Sequence, residues 1–401
     1  MTGSATNMSP VHRGIPRAVW VLGGVSLFMD MSSELVHAVL PVYLTTVLGL
    51  SVLAVGIIEG VAEATASMLK VVSGFVSDRF ARRKPLALLG YGLSALTKPI
   101  FPLAESAFGV VSARFIDRVG KGIRGAPRDA LVADVTSPEL RDAAYGLRQS
   151  LDTVGAFLGP MLAMLFLWLW ANDLRAVLWV AVVPAAIAVA LLAFGVDEPA
   201  ATLPERKESL HLAAIGRLPR DFWWLIGLTS LISLARLSEA FLVLQAQELS
   251  LPLLWIPMVM IVMSAVYALA SYPAGLLASR FGRGALLGSS LIALMTAEMC
   301  LAVLPGSVGL WAGVALWGLH MGLSQGGLSA AVADLAPDDM RATAFGVFHF
   351  FTGLFQLASG ALAGWLWLRH GSPAAFVAGA FWAVAAFLLL WVRPLPTRQS
   401  P

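Results

Sequence analysis

Long apolar runs separated by short polar connections recur along the whole chain. A helix needs about 20 apolar residues to cross the hydrocarbon core of a bilayer. That length predicts spans over 18–46, 52–77, 85–104, 108–131, 143–169 and 174–196. Six more follow over 221–247, 252–279, 284–304, 308–333, 341–368 and 373–393. The pattern predicts an all-α membrane protein with twelve transmembrane helices in two six-helix bundles. Its parts are an N-terminal tail over 1–16, a bundle over 17–196, a polar linker over 197–220, a second bundle over 221–393 and a tail over 394–401.

Composition agrees with that reading. Of 401 residues, 58% are hydrophobic and 13% charged, whereas soluble domains carry about 45–50% and about 25%. So few charges cannot cover so large an apolar mass in water. The formal net charge of +3 comes with no basic cluster interleaved with aromatics, so no nucleic-acid partner is expected. The single cysteine, Cys300, excludes an intramolecular disulfide, and no Cys/His spacing suggests zinc. Residues 1–16 are polar, and the apolar run behind them is too long for a cleavable signal, so it reads as the first span. The lipid bilayer is thus the first partner.

Orientation follows from the distribution of Lys and Arg, which concentrate in cytoplasmic connections. One side holds Arg13, Arg17, Arg79, Arg82, Arg83, Lys84, Arg141, Arg206, Lys207, Arg217, Arg220, Arg280, Arg283, Arg341, Arg393 and Arg398, against Arg175 and Arg369 on the other. Both termini and the linker are expected in the cytoplasm of a cell whose inner membrane holds the protein.

The two halves are related. GIRGAPRDALVADVTSPELRDAAYG over 122–146 aligns without a gap onto GLSQGGLSAAVADLAPDDMRATAFG over 322–346, and GFVSDRFARR over 74–83 matches GLLASRFGRG over 275–284. A shorter echo joins SSE at 32–34 to LSE at 237–239. Transporters commonly place their site between such repeats, near the bilayer midplane.

Three motifs add a family. GFVSDRFARRK, with Gly74, Asp78, Arg79, Arg82 and Arg83, resembles the cytoplasmic loop signature of the major facilitator superfamily, with Ala81 where a second glycine is usual. Arg118-x-x-Lys121-Gly122-x-Arg124-Gly125-Ala126 is similar to its helix 4 motif, with Lys121 where glutamine is common. Gly155-x-x-x-Gly159-Pro160-x-x-Ala163 resembles its helix 5 antiporter motif, ending in Ala in place of Gly. The resemblance implies the two-bundle fold of that superfamily, a small-molecule substrate, a monomer, and a gating role for the Gly74–Arg83 loop.

Charge within the spans supplies the candidate chemistry, because each buried charge costs at least about 2.5–3.5 kcal/mol and needs a partner or a cavity. Asp30, Glu34 and His37 share one face of the first span, and Glu59 and Glu63 one stripe of the second. Arg114, Arg118 and Lys121 share a stripe of the fourth span, and Arg148 and Asp152 lie on the fifth beside Gly155 and Gly159. Such charges either pair, Asp30 with Arg118 for instance, and hold one conformation, or form a cavity where substrate and proton exchange. Asp30 and Glu34 are the leading proton sites, with Glu59 or Glu63 the rivals. His37 with the carboxylates around it is also a plausible divalent-metal set, although no resident metal or cofactor is expected. His320, His349 and Gln356 are placed to face a shared interior. Arg236 and Glu239 are placed to pair with each other, leaving the C-terminal wall of the cavity largely apolar.

The reading is a secondary transporter, not an enzyme: no nucleophile–base pair sits on a catalytic scaffold, and GKGIRG lies inside a helix without the strand that a phosphate loop needs. Proton-coupled export of an amphiphilic organic compound is expected. The alternatives are a transition-metal or organic-anion carrier, and, from another class, a sensor without flux. If Asp78 closes the gate, Asp78→Asn shifts cysteine-accessibility labelling towards the state open to the cytoplasm. Unchanged labelling leaves the loop a determinant of topology alone.

Overall fold

The computed structural model describes residues 14–80, 83–137, 140–197, 212–337 and 340–395. Every regular element among them is helical. The first half contains α1 (Arg17–Val42), continued by a π-helical turn over Tyr43–Val47, then α2 (Val52–Phe80), α3 (Arg83–Thr97) and α4 (Ile100–Leu103). It goes on through α5 (Ala107–Asp134), α6 (Arg141–Leu169), α7 (Leu174–Val180) and α8 (Val182–Gly195). The second contains α9 (Arg220–Ala235), α10 (Glu239–Glu248), α11 (Met258–Phe281), α12 (Arg283–Val303), α13 (Gly306–Leu335), α14 (Arg341–His370) and α15 (Ser372–Val392). These fifteen described helices make twelve crossings, since α3 with α4, α7 with α8, and α9 with α10 each share one.

Ten crossings among the described residues are long and apolar enough to span by length and composition. The helix α5 is outside that set because Arg114, Asp117, Arg118, Lys121, Arg124, Arg128 and Asp129 line it. The outward faces carry the apolar side chains expected against lipid: Phe194 is 90% exposed and Phe108 82%. Trp391, Leu269 and Tyr272 are exposed in the same way.

Packing repeats between the halves as the sequence repeat predicts. In the first, α5 packs against α2 and α3; in the second, α13 packs against α11 and α12. The apolar cores are distributed unevenly along the membrane normal. At the end bearing the termini each half has its own core, built around Leu22, Met29 and Tyr91 in the first and around Phe222, Leu225 and Val332 in the second. At the opposite end one cluster runs through both, joining Leu40, Tyr43 and Leu44 to Phe241, Val243, Ile256 and Trp367. There Thr45 Oγ1 donates to Gln247 Oε1 at 3.0 Å across the junction. The molecule is therefore sealed at the end remote from the termini.

The seal depends on glycine. The helices α2 and α14 from opposite halves cross at backbone contact: a Cβ added at Gly56 would collide with the Gly360 carbonyl, and one at Gly60 with Leu357. Gly353 meets Ala64, and Gly364 meets Leu53, in the same antiparallel run. Close backbone approach through small residues is a general means of packing helices in lipid, where no hydrophobic drive is available. Gly155 and Gly159 act alike within the first half, setting α6 against the α1 backbone at Leu27 and at Met31 and Leu35. Pro160 follows inside α6. The helix 5 motif is thus a packing seam between α6 and α1.

Gly360→Leu should wedge α2 from α14 and open the remote seal. With Cys300→Ser as background, Thr45→Cys and Gln247→Cys are expected to cross-link readily in the parent and several-fold less with Gly360→Leu. Equal cross-linking would show that the seal does not rest on this crossing.

Candidate substrate cavity and its charge network

At the junction of the halves, about midway along the helices, lies a cavity of about 270 Å³. From the first half it is lined by Glu34, His37, Glu59, Glu63, Arg118 and Lys121; from the second by Arg236, Ser238, Glu239, Trp317 and Gln356, among others. A second cavity of about 310 Å³ contains Asp30, Lys70, Arg124, Arg128, Asp152 and His349, and Glu63 and Lys121 line both.

The first half holds its charges in an ordered network. Arg114 on α5 binds Glu59 on α2 through both carboxylate oxygens, Nε to Oε1 at 3.1 Å and Nη2 to Oε2 at 2.6 Å, and each side chain is 1% exposed. One turn along, Arg118 donates to Glu63 at 3.0 Å and lies 3.6 Å from Asp117. The four-residue spacing on both helices produces these parallel rungs. Behind them, Lys98 is fully buried and donates to Asp117 at 3.0 Å and Ser33 at 3.3 Å. His37 Nδ1 stands 3.4 Å from Glu34, and its Nε2 stands 3.8 Å from Glu59. Nearer the termini, Arg148 and Arg128 flank Asp152 at 3.6 and 3.7 Å. Asp129 lies 3.0 Å from Arg128 and 3.8 Å from Arg148.

Several expectations are corrected. Arg118 pairs with Glu63 and Asp117, not with Asp30, whose nearest cation is Arg124 at 3.9 Å. Asp30 and Glu34 share a face of α1, yet one lines the second cavity and the other the first, because a full turn separates them along the axis. His320 faces neither cavity: its Nδ1 meets the Ser290 carbonyl on α12 at 2.9 Å. His349 lines the second cavity and Gln356 the first, so the three do not converge.

The seventh span is not continuous. It stops at Ala235 and resumes at Glu239, with Arg236 extended at ψ 95° and Ser238 capping the new helix, its Oγ 3.4 Å from the Ala240 N–H. A break strands carbonyls at one helix end and N–H groups at the other. Ser359 of α14 donates to the Leu234 carbonyl at 3.0 Å and satisfies one of them. Irregular backbone at membrane depth occurs where it is buried in protein or lines a cavity, and this break lies on the first cavity. Arg236 and Glu239 do not pair. Both face the cavity, and Glu239 reaches across to His37 Nδ1 at 3.8 Å. The C-terminal wall is accordingly more polar than its sequence suggests.

Two contributors escape sequence reasoning. Trp317 on α13 is fully buried, lines the cavity and has an Nε1–H without a partner; one tryptophan among 13 gives no signal of its own. Lys98 is a single lysine within the apolar run over 85–104, and that interruption is the signal available for it. Of the loop residues, Gly74 lies within α2, Arg83 binds Asp134 at 3.0 Å, and the Asp78 and Arg79 side chains and all of Arg82 lie outside the described residues.

A helical bundle of two related halves around a charged midplane cavity defines a membrane transporter. Residues 22–266 and 238–401 match the family described as Major Facilitator Superfamily, and the chain belongs to it. An uncharacterized MFS-type transporter of Methanocaldococcus jannaschii is 31% identical over 384 residues, covering 94% of this chain and 95% of the relative. A Multidrug resistance protein, MdtH of Photorhabdus laumondii, is 29% identical over 154 residues, 38% of this chain and 37% of its own. The crystal structure of a POT family transporter in complex with a thioalcohol-conjugated peptide superimposes with a TM-score of 0.81 at 15% identity, covering 95% and 96% of the two chains.

Glu59→Gln leaves the Arg114 guanidinium buried without its anion. Breaking a buried pair from one side costs about 3–5 kcal/mol, so the melting temperature in detergent is expected to fall clearly. Glu59→Gln combined with Arg114→Gln should recover part of the loss. A single variant as stable as the parent would show that the pair carries no structural weight.

Proposed function

We propose that this protein exports a small amphiphilic organic compound bearing at least one charged group, in exchange for protons, by rocking its two halves about the midplane cavity. The observation that carries the reading is the meeting in one cavity of carboxylates from both halves, Glu34 and Glu63 from one and Glu239 from the other. Solute and proton can compete for such groups, and that competition couples their fluxes. Ion pairs that straddle moving parts, breaking in one state and forming in the other, make the two-state element that alternating access requires.

The arrangement sealed at the remote end and cored separately at the terminal end corresponds to a state open to the cytoplasm, given termini placed by the positive-inside distribution. The multidrug-resistance relative supports export. Asp30 and Glu34 remain the proposed proton sites, now as two stations connected through Glu63 and Lys121, which border both cavities. The protein works as a monomer in the cytoplasmic membrane.

The test uses proteoliposomes with a pH-sensitive dye inside and a panel of lipophilic cations and organic anions outside. A solute of this class is expected to trigger proton movement in the parent. Asp30→Asn or Glu34→Gln should reduce that movement at least tenfold while solute binding persists. Full coupling in both variants would remove the two residues from the proton path, and silence of the parent across the panel would overturn the proposed exchange.

A further inference from the structure

The two halves meet on a single imidazole. His37 Nδ1 is 3.4 Å from Glu34 Oε2 and 3.8 Å from Glu239 Oε2, and the three donor atoms all lie within 4.8 Å of one another. Ligand atoms about 2.0–2.2 Å from a tetrahedral metal ion stand about 3.3–3.6 Å apart. One edge of the triangle already has that length, and the others exceed it by an amount that a rotation of a glutamate tip closes. Glu34 and Glu239 are 20% and 26% exposed and have room to rotate, whereas His37 is 11% exposed and more closely enclosed.

What lies behind the histidine resembles the support a metal ligand uses. A coordinating histidine commonly directs its other ring nitrogen at a carboxylate, which fixes the tautomer and makes the free nitrogen more basic. Here His37 Nε2 has no hydrogen-bond partner and lies 3.8 Å from Glu59 Oε2, and Glu59 is itself clamped on both oxygens by Arg114. A small approach of the ring completes that bond and leaves Nδ1 with its lone pair towards the cavity. The cavity volume of about 270 Å³ leaves space for water molecules to fill the remaining coordination positions.

We infer that Glu34, His37 and Glu239 bind a divalent first-row transition metal ion at the junction of the two halves. One imidazole and two carboxylates suit ions such as zinc or cobalt better than magnesium, which retains its water and favours oxygen alone. The two glutamates come from the Ser-Glu pairs at 33–34 and 238–239, which correspond in the internal repeat, so the ion sits where the repeats face each other. Glu239 stands at the first turn of α10, directly after the helix break. Any motion that parts the halves withdraws Glu239 from the other two, so the ion is held in this arrangement and released in the alternative one. The inference rests on the chain being a two-state transporter and not on its organic solute.

Co²⁺ serves as the probe, because its visible d–d bands report coordination directly, with the full chain in detergent and no gradient present. The parent is expected to give saturable bands that Zn²⁺ displaces and Mg²⁺ at the same concentration does not. His37→Ala and Glu239→Gln should each weaken Co²⁺ at least tenfold, and His370→Ala, an exposed histidine remote from the cavity, should leave it unchanged. Gel filtration of each variant checks that it is folded; Glu239→Gln preserves shape and supplies the answer if His37→Ala is not. No bands at saturating Co²⁺, or bands undiminished in both variants, would overturn the site. Loss of solute-driven proton movement in proteoliposomes tests the exchange separately and leaves this measurement untouched.

Discussion

A charge taken into the middle of a bilayer must find an opposite charge or water there, and that requirement organises this protein. The helix α5 carries eight ionisable residues, from Arg114 to Asp134. It can do so because α2 offers Glu59 and Glu63 at matching heights, α3 and its short continuation offer Lys98 to Asp117, and α6 offers Asp152. The pairs fix how α2, α3 and α6 are disposed around α5, and hence the shape of the first half. Where the pairing is incomplete, at Glu34, Lys121, Arg236 and Glu239, the structure opens a cavity in place of an apolar core.

The second constraint is steric. With no hydrophobic drive between helices in lipid, contact depends on how closely backbones approach. Two glycine seams differ in what they join. The Gly155–Gly159 seam ties α6 to α1 inside one half, and the Gly56–Gly360 seam lays α2 on α14 across the two. The first lies wholly within one half. The second joins the two halves, with the backbones in contact and side chains such as Phe241 and Leu357 packed beside them. Charge and glycine thus have separate roles. Ion pairs build the body of the first half, and a glycine seam lets the halves meet closely.

The break between α9 and α10 shows how the two constraints combine at the cavity. A continuous helix would place Arg236 and Glu239 on neighbouring positions of one face, where they would neutralise each other. Extending the backbone over Arg236–Ser238 separates them and turns Glu239 towards His37 of the other half. The stranded backbone groups are met in part by Ser238 within the break and by Ser359 from α14.

Much of the architecture was legible along the chain. Apolar runs of spanning length, the offset of about 200 residues between repeats and the placement of Lys and Arg are one-dimensional properties. They determine the number of crossings and the kinship of the halves. The paired stripes on the second and fourth spans were legible too, because a four-residue spacing on each helix dictates parallel rungs once the helices touch. What the sequence could not determine is which rungs meet, since that depends on the axial offset between helices: Arg118 meets Glu63, Asp30 meets Arg124, and Asp30 and Glu34 open into separate cavities. Nor could it reveal the break at Arg236, because the apolar residues on either side read as one span and only contacts from another helix make the interruption tolerable. The convergence of Glu34, His37 and Glu239 was likewise decided by tertiary structure alone. It joins residues some 200 positions apart, and no local pattern encodes a distance across the junction of two bodies.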